Sequence, residues 1–240
     1  MKFENTRVMN FEGALRGMRN PMNSWDKSDS RWENLEDYVA RLPDDNSVHY
    51  ERNYIIGKND MKLAQTLIKA GSEHRKFMRQ IFVCVDITAP LYWWKEFDTY
   101  KVGTVRNSCS TMHKIHVKSF SEDDFTHDCV DKTKEAKESF LRVIDTLEFL
   151  RLKFNETQKK IYWKAIIQLL PDSFEMKATV TLNYENLLGI CSKGQRRNHK
   201  LNEWSGKDGL NSENFISWAR SLPYSQELIF IDEVSGGDNE

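Results

Sequence analysis

Apolar and aromatic side chains concentrate in residues 77–87, a run that is also rich in β-branched residues. A run of this length and composition predicts a buried strand. The pair Ala89-Pro90 follows it, and a proline suits the first turn of a helix because its missing N–H would lack an intrahelical partner there anyway. We therefore predict a strand followed by a helix. We interpret Trp93 and Trp94 on that helix as core or subunit contacts rather than as stacking platforms for a ligand ring.

Helical spacing of apolar residues recurs in four longer segments. They are residues 32–42, 61–68, 131–154 and 156–170. Asn59 or Asp60 is the predicted cap of the second of these helices, and Asn155 is the predicted cap of the fourth. The segments 3–10 and 174–182 predict two further strands. These elements predict an α+β fold, in which a mixed or antiparallel sheet is flanked by helices.

Length and charge limit the classes of protein to consider. The chain has 240 residues and a formal net charge of −1. We predict one domain over residues 1–230, followed by an acidic, disordered tail at residues 231–240. A nearly neutral total gives no field that attracts a polyanion, so nucleic acid is disfavoured as a partner. No apolar run approaches the roughly 20 residues that span a bilayer, and residues 1–4 do not begin a signal peptide. We therefore expect a cytoplasmic protein without a membrane partner.

The cysteines show neither a C-x-x-C pair nor a framework spacing, which argues against structural disulfides. They are Cys84, Cys109, Cys129 and Cys191. Cys84 lies in the apolar run and is interpreted as a small buried hydrophobic residue. A second group has the residue types that bind zinc, namely Cys109, His113, His116, His127 and Cys129. Its spacing corresponds to no site that we can name, so we prefer scattered cysteines and histidines and predict no metal site.

A loop of small and hydroxyl-bearing residues follows the predicted helix, at residues 103–111. It contains Arg106 and Ser110, and such a loop can offer N–H groups and hydroxyls to a phosphate. With the residues before it, the loop resembles the signature region of flavin-dependent thymidylate synthases, which reads approximately A-P-x-x-x-x-R-Q-x-x-R-H-R-x-x-S. The positions that align without a gap are Ala89, Pro90, Lys95, Glu96, Thr99, Tyr100, Lys101 and Thr104.

Two other segments show the same resemblance. Ala14, Arg16 and Arg19 match an early A-x-R-x-x-R segment of the family. Asn183 matches the first residue of an N-x-R-x-L segment, but Glu185 stands where the family has a flavin-contacting arginine. An unpaired carboxylate at this position would repel a diphosphate.

The resemblance implies a divergent flavin-dependent thymidylate synthase-like enzyme that reductively methylates a pyrimidine deoxynucleotide such as dUMP. FAD would be the redox cofactor, methylenetetrahydrofolate the one-carbon donor and NADPH the reductant. The resemblance also implies a homo-oligomer with active sites between subunits. Two alternatives remain open. One is a nucleotide-binding relative of the same fold that has lost FAD-dependent catalysis, and the other is an assembly or interaction protein whose aromatic residues form subunit contacts.

The resemblance also implies roles for individual residues. Arg196 and Arg197 would be the catalytic arginines, one of which polarises a pyrimidine carbonyl. The cofactor would be bound by Glu73, His74, Tyr100, Lys101 and Asn183. The substrate would be bound by Arg19, Lys95, Glu96, Thr104, Arg106 and Ser110.

Overall fold

Four strands form one sheet in the computed structural model, which describes residues 1–41, 52–207 and 213–234. The described strands are β1 (Lys2–Met9), β2 (Arg31–Trp32), β3 (Tyr54–Ile55), β4 (Phe82–Pro90), β5 (Val105–Ser108) and β6 (Glu175–Asn183). The main sheet has the order β1-β4-β6-β5, and β2 pairs with β3 in a small antiparallel sheet. The strands predicted at residues 3–10 and 174–182 are confirmed. The sequence did not predict β5, which pairs antiparallel with β6.

Helices make up most of the remaining described structure. They are α1 (Phe11–Arg19), α2 (Leu35–Arg41), α3 (Lys58–Lys69), α4 (Leu91–Phe97), α5 (Lys134–Thr157), α6 (Lys160–Leu169), α7 (Tyr184–Ile190), α8 (Asn202–Ser205), α9 (Phe215–Arg220), α10 (Ser225–Leu228) and α11 (Ile231–Val234). Within the described residues, none of these helices combines the length and the apolar character needed to cross a membrane. The combination of helices with an antiparallel sheet confirms the predicted α+β class.

The structure corrects the start of the strand predicted at residues 77–87. Lys76–Gln80 forms a 3-10 helix, and β4 begins only after it. Phe77 and Met78 are neighbours in sequence, and both are buried. Because successive side chains of a strand point to opposite faces, a tight helical turn buries this pair more readily than a strand does. The strand then continues through Pro90, beyond its predicted end.

The boundary between α5 and α6 also differs from the prediction. Asn155, the predicted cap of the second helix, lies inside α5, which continues to Thr157. Gln158 then takes the left-handed conformation, with φ of 55°, and its N–H donates to the carbonyl oxygen of Phe154 at 2.7 Å. A left-handed residue with this bond ends a helix and satisfies one of its last carbonyl groups. The chain therefore turns at Gln158.

Two helix starts near the N-terminus are corrected as well. Trp32 belongs to β2, so the helix predicted at residues 32–42 is shorter than expected, and its last predicted residue lies outside the described part of the chain. Gly57 precedes α3, and Asp60, one of its two predicted caps, is instead the third residue of that helix. The Asp60 carboxylate instead accepts hydrogen bonds from side chains outside α3.

The chain divides into two compact units. The first consists of Met1–Thr6, Cys84–Thr181 and His199–Ser217, and the second consists of Arg7–Val83, Leu182–Asn198 and Trp218–Glu240. A single domain over residues 1–230 remains a prediction. The predicted tail begins with the helix α11, so its first residues are folded, and residues 235–240 lie outside the described part of the chain.

An aromatic cluster lies in the core of the first unit. Trp93 is fully buried and stacks on Phe97, with ring centroids 5.1 Å apart. Its ring also contacts those of Trp204 and Phe215, at centroid distances of 4.6 and 6.0 Å. Trp94 is 1% exposed, and its indole N–H donates to a backbone carbonyl at 2.9 Å. The interpretation of both tryptophans as core residues is confirmed.

The cysteines differ in burial from what the sequence suggested. All four are free thiols, and Cys191 rather than Cys84 is the fully buried one. Burial raises the pKa of the Cys191 thiol to about 12, so this thiol stays protonated at neutral pH. Cys84 is half-buried, whereas Cys109 and Cys129 are exposed.

Candidate functional site

A cavity of about 410 Å³ opens in the first unit beside α4 and β5. We refer to it as the Arg106 cavity. Its wall includes the apolar side chains of Trp94 and Met176 and the polar side chains of Lys95, Arg106 and Ser110. These three polar residues belong to the six that the resemblance assigned to the substrate. The structure therefore brings half of that predicted set to one cavity.

Backbone hydrogen bonds to another segment of the chain hold the first turn of α4 in place. The N–H of Leu91 donates to the carbonyl oxygen of Phe174, and the N–H of Tyr92 donates to that of Asp172, each at 3.0 Å. These bonds satisfy two of the N–H groups that the start of a helix leaves without intrahelical partners. They fix α4 to the segment before β6, and Lys95 is thereby held one turn further along, at the cavity.

Arg106 is the half-buried residue of the otherwise exposed strand β5. Its Nη2 atom lies 3.1 Å from Oδ2 of Asp98, and its guanidinium carbon lies 4.9 Å from the centroid of the Trp94 ring. Its Nη1 atom is buried and has no hydrogen-bond partner among the described residues. Leaving a buried donor without a partner is costly, and most such donors in proteins are paired. This atom is therefore suited to donate to an acceptor on a bound ligand.

Lys95 contributes a second cation to the cavity. Its Nζ atom lies 2.5 Å from Oδ2 of Asp172, and both side chains are more than half exposed. Exposed ion pairs contribute about 0–1 kcal/mol, so an anionic ligand can compete with Asp172 at little cost. The hydroxyl-bearing residues Ser110 and Thr111 also line the cavity. A guanidinium, an ammonium and two hydroxyls together suit an oxygen-rich anion.

Two other residues assigned to the substrate bond elsewhere in the first unit. Oε2 of Glu96 lies 3.4 Å from Nε2 of His199, and the hydroxyl of Thr104 donates to the carbonyl oxygen of Tyr100. Neither side chain lines the Arg106 cavity. Their contact with a substrate stays a prediction.

Arg19, the sixth residue assigned to the substrate, lies in the second unit and is 5% exposed. Its Nε atom donates to Oδ1 of Asp60 at 2.6 Å. Its two terminal nitrogens donate to the carbonyl oxygens of Ser24 and Lys27, at 3.2 and 3.0 Å. Every guanidinium nitrogen of Arg19 thus has a partner inside the chain. These contacts give Arg19 a structural role, and its contact with a substrate stays a prediction.

Asp60 is the centre of this buried polar cluster. Its second carboxylate oxygen accepts from the hydroxyls of Ser28 and Ser30, at 2.6 and 2.5 Å. Burial opposes ionisation of Asp60, but the hydrogen bonds from Ser28, Ser30 and Arg19 outweigh it and hold the pKa of this carboxyl below its usual value. Asp60 is therefore a carboxylate at neutral pH, and it neutralises Arg19.

The two residues assigned to catalysis adjoin each other in a 3-10 helix, Arg196–Asn198. Arg197 donates from Nε to the carbonyl oxygen of Cys191 at 2.8 Å and from both terminal nitrogens to the carboxylate of Asp232, at 3.0 and 2.8 Å. Its Nη1 atom also lies 3.0 Å from Glu233. Arg197 lines a cavity of about 370 Å³ in the second unit, but its guanidinium is already paired. The catalytic assignment of both arginines stays a prediction.

Glu233 is expected to make the stability of the protein sensitive to acid. A hydrogen bond from Arg220 lowers its pKa, against the effect of burial and with help from Gln226, to about 2. This depressed pKa gives stability that is present above the ordinary pKa of 4.5 and is lost as the pH falls toward about 2. The side chain is 33% exposed, so we expect the loss to be about 1–2 kcal/mol. Urea unfolding at pH 7, 4 and 2.5 measures it.

The matched variants for this experiment are Glu233→Gln and Glu138→Gln. The first should be less stable than wild type at pH 7 and should lose less stability on acidification. The second alters a half-exposed carboxylate on α5 whose nearest ion-pair distance is 3.9 Å, and it should follow the wild-type curve. Identical acid sensitivity of Glu233→Gln and wild type would show that Glu233 does not carry the effect.

The residues assigned to the cofactor are distributed over both units. Glu73 is exposed and lies 3.6 Å from Lys76, and His74 is exposed as well. Asn183 caps α7, where its side chain accepts from the N–H of Asn186 at 3.0 Å. In the first unit, Tyr100 and Lys101 follow α4. None of the five lines the Arg106 cavity or the cavity beside Arg197.

Two arginines form ion pairs with Glu185, and the sequence did not indicate this pairing. Nε of Arg75 lies 3.1 Å from one oxygen of this carboxylate, and Arg79 donates to both oxygens. Burial opposes ionisation of Glu185, and the bonds from Arg79 and Arg75 outweigh it and lower its pKa. The sequence raised the possibility of an unpaired carboxylate at this position. The structure corrects that expectation, because Glu185 is paired with two arginines.

Among the described residues, the group of zinc-type residues is not brought together as a set of metal ligands. Ser110 Oγ lies 2.8 Å from Nδ1 of His113, and Cys109 lies in no helix. A different trio, Glu122, His127 and Asp131, places three possible ligand atoms within 4.8 Å of one another. Lys137 already forms ion pairs with both carboxylates of this trio. Its ammonium group supplies the positive charge that a metal ion would otherwise bring, so we assign no metal site there.

No protein-family model and no curated protein matches this sequence. Solved structures do match its fold. The flavin-dependent thymidylate synthase ThyX from Helicobacter pylori, complexed with FAD and dUMP, gives a TM-score of 0.62 at 14% identity over 97% of this chain and 99% of that one. A second structure of that enzyme, also with FAD and dUMP, gives 0.62 at 15% identity over 97% and 98%.

The UMP/dUMP methylase PolB from Streptomyces cacaoi, bound with 5-Br dUMP, gives a TM-score of 0.58 at 11% identity over 96% of this chain and 95% of that one. These likenesses extend over nearly the whole length of each chain. At such identities they show the fold alone, which agrees with the α+β class. The chain therefore has the fold of the flavin-dependent thymidylate synthases.

Proposed function

We propose that this protein binds a pyrimidine deoxynucleotide such as dUMP in the Arg106 cavity. The buried Nη1 atom of Arg106, which lacks a hydrogen-bond partner among the described residues, carries the proposal. Solved structures of the same fold hold dUMP or 5-Br dUMP. A volume of about 410 Å³ lies within the range of about 300–1,000 Å³ that small-molecule sites occupy.

The groups of the cavity match the two polar parts of such a nucleotide. A pyrimidine carbonyl oxygen is a hydrogen-bond acceptor, and the buried Nη1 of Arg106 is a donor without a partner in the described structure. A phosphate accepts several, and Lys95 with the hydroxyls of Ser110 and Thr111 can donate them. Leu91 and Met176 add apolar surface for the ring. The cavity thus combines the polar and apolar groups that a nucleotide site needs.

The expected effect of Arg106→Gln is a loss of dUMP affinity of about 10- to 100-fold. Hydrogen bonds to charged groups contribute about 1.5–3 kcal/mol, and each 1.4 kcal/mol is tenfold in affinity. Isothermal titration calorimetry with dUMP measures the change. Arg142→Gln removes an exposed arginine of α5 that does not line the cavity, and it should bind as wild type does. No binding of dUMP by wild type, or equal affinity of Arg106→Gln, would refute the proposal.

Four arginines of the second unit are already paired and so are poorly suited to bind the diphosphate of FAD. Arg75 and Arg79 both form ion pairs with Glu185. Arg19 is paired with Asp60, and Arg197 is paired with Asp232. Each of these four arginines is thus matched by a carboxylate of the same chain. We therefore prefer nucleotide binding without flavin chemistry and assign no role to methylenetetrahydrofolate or NADPH.

Flavin-dependent methylation is the second candidate function, because the ThyX structures of the same fold contain FAD. The absorbance spectrum of the purified protein after incubation with FAD and dialysis separates the two candidates. Our proposal expects a colourless protein that still binds dUMP. A protein that retains the visible bands of a flavin would overturn this preference.

We also propose that the protein forms a homo-oligomer through the helical hairpin of α5 and α6. Phe149 and Leu152 on α5 and Ile161 on α6 are 56%, 54% and 71% exposed. Phe149 and Leu152 are three positions apart on one helix and are therefore neighbours on its surface, and exposed large apolar side chains are typical of protein interfaces. Sedimentation equilibrium should give more than one subunit for wild type and a shift toward monomer for Phe149→Glu. A monomeric wild-type protein at high concentration would exclude this interface.

A further inference from the structure

The second unit contains a cleft of about 930 Å³ to which the sequence assigned no function. We call it the Trp32 cleft. It shares no lining residue with the Arg106 cavity. Its volume lies at the upper end of the range of about 300–1,000 Å³ found for small-molecule sites. None of the residues that the resemblance assigned to catalysis, cofactor or substrate lines it.

Four aromatic side chains line the Trp32 cleft. Trp32 meets Tyr54 edge to face, with ring centroids 5.2 Å apart and an interplanar angle of 76°. Phe11 meets Tyr224 in the same way, at 5.5 Å and 82°. Trp32 remains 44% exposed although it lines a concave surface. An indole in this position has area left to pack against a planar ring.

The backbone of the cleft wall is held in an unusual conformation. Tyr224 has φ of 55°, a left-handed conformation that is rare for a bulky residue. Its hydroxyl accepts from the N–H of Ile56 at 3.1 Å and donates to the carbonyl oxygen of Tyr54 at 3.0 Å. These two bonds tie the strained residue to β3 and the residue that follows it. Strained residues concentrate at functional sites, where the surrounding structure fixes them in place.

Arg52 supplies a positive charge at the same cleft. It donates from Nε, at 2.8 Å, and from Nη2 to the carbonyl oxygen of Glu33. These bonds orient the guanidinium group but leave its charge in place, and Arg52 has no ion pair within the described ranges. The planar fork of an arginine matches a carboxylate or a phosphate. The neighbouring Asn53 adds an amide to the lining.

We propose that the Trp32 cleft binds a planar heteroaromatic ligand that carries a negative charge. Its ring packs against Trp32 and Tyr54, and its anionic group bonds to Arg52. Aromatic carboxylates and nucleoside monophosphates share this chemistry. The inference does not rest on nucleotide binding in the Arg106 cavity, because no residue is common to the two sites.

Fluorescence quenching and calorimetry with two probes test the proposal. The probes are quinoline-2-carboxylate and UMP, and uncharged quinoline is the comparison for the first. We expect at least one anionic probe to bind and to quench tryptophan emission. Trp32→Leu and Arg52→Gln should each weaken that binding about tenfold or more, which corresponds to about 1.4 kcal/mol. If quinoline-2-carboxylate is the probe that binds, quinoline should bind more weakly than it does.

Matched variants separate the cleft from other binding surfaces. Trp25→Leu removes a tryptophan that is 50% exposed but does not line the cleft, and Arg31→Gln removes an exposed arginine of β2 that does not line it either. Both should bind the probes as wild type does. Arg106→Gln should keep UMP binding at the cleft, so failure of the nucleotide proposal remains distinguishable from failure of this one.

Three results would overturn the proposal. They are no binding of either anionic probe, unchanged affinity in both Trp32→Leu and Arg52→Gln, and equal losses in the two matched variants. If circular dichroism shows that the Trp32→Leu variant is unfolded, the affinity of Arg52→Gln alone decides whether the proposal holds. Binding of UMP alone would identify a nucleotide as the ligand class, and binding of quinoline-2-carboxylate alone would identify an aromatic carboxylate.

Discussion

Replacement of Asp60 by asparagine is expected to lower the free energy of unfolding by about 3–5 kcal/mol. Asp60 is fully buried and its partner Arg19 is 5% exposed, so water cannot solvate the charge that remains. Breaking a buried ion pair by removing one partner leaves an uncompensated buried charge, and this is the origin of the large effect. The amide of asparagine can also accept fewer hydrogen bonds than the carboxylate that Ser28 and Ser30 now contact.

Urea unfolding at neutral pH, followed by circular dichroism, measures this loss. Asp26→Asn is the matched control, because Asp26 is exposed, and its effect should stay within about 0.5 kcal/mol. Acid should reduce the difference in the free energy of unfolding between Asp60→Asn and wild type. The lowered pKa of Asp60 gives stability that is present above the ordinary value of 3.8 and is lost as the pH falls through the folded value. A neutral-pH stability equal to wild type would contradict the assigned role of the pair.

Trp93→Ala is expected to cost about 3–5 kcal/mol, the usual range for truncating a large buried aromatic residue. Trp93 is fully buried, stacks on Phe97 and contacts the rings of Trp204 and Phe215. Truncation to alanine would leave a cavity among three rings that are themselves rigid. The neighbours could fill it only in part, so both the transfer and the cavity contributions would appear in the measured loss.

The same unfolding experiment tests this second effect, with Trp25→Ala as the control. Trp25 is 50% exposed and donates its indole N–H to Asn20 at 2.9 Å, so its truncation should cost far less. Trp93→Phe keeps an aromatic ring in the cluster and should fall between wild type and Trp93→Ala. A loss for Trp93→Ala no larger than that for Trp25→Ala would contradict the central place of Trp93 in the core.

Local patterns predicted the elements of this fold more reliably than their ends. The alternation of residues 174–182 predicted the strand β6. Nearly every second side chain of this strand is buried, so one face of the strand packs against the core. The start of β4 and the turn at Gln158 were missed, since both depend on backbone conformations that apolar spacing does not specify. Phe77 and Met78 show this well, because an apolar pair is compatible with a strand or with a tight turn.

In the candidate site, too, local sequence patterns predicted some features and missed others. Lys95, Arg106 and Ser110 lie close together in sequence, and the helix, loop and strand that contain them bring them to one cavity. The partners of Glu185 could not be found in this way. Arg75 and Arg79 are separated from it by 110 and 106 positions, and no local pattern couples a carboxylate to arginines at such a distance. The Trp32 cleft was missed for the same reason, because its lining comes from four separate segments.

The interleaving of the two units has a practical consequence for expressing parts of this protein. Each unit is assembled from three separate chain segments, and the segments of the two units alternate along the chain. No single cleavage point separates one unit from the other, and every fragment that ends inside the chain carries incomplete pieces of at least one of them. Fragments designed by truncation should therefore be insoluble or unfolded, and only a rearranged chain that joins the segments of one unit by new linkers could isolate it.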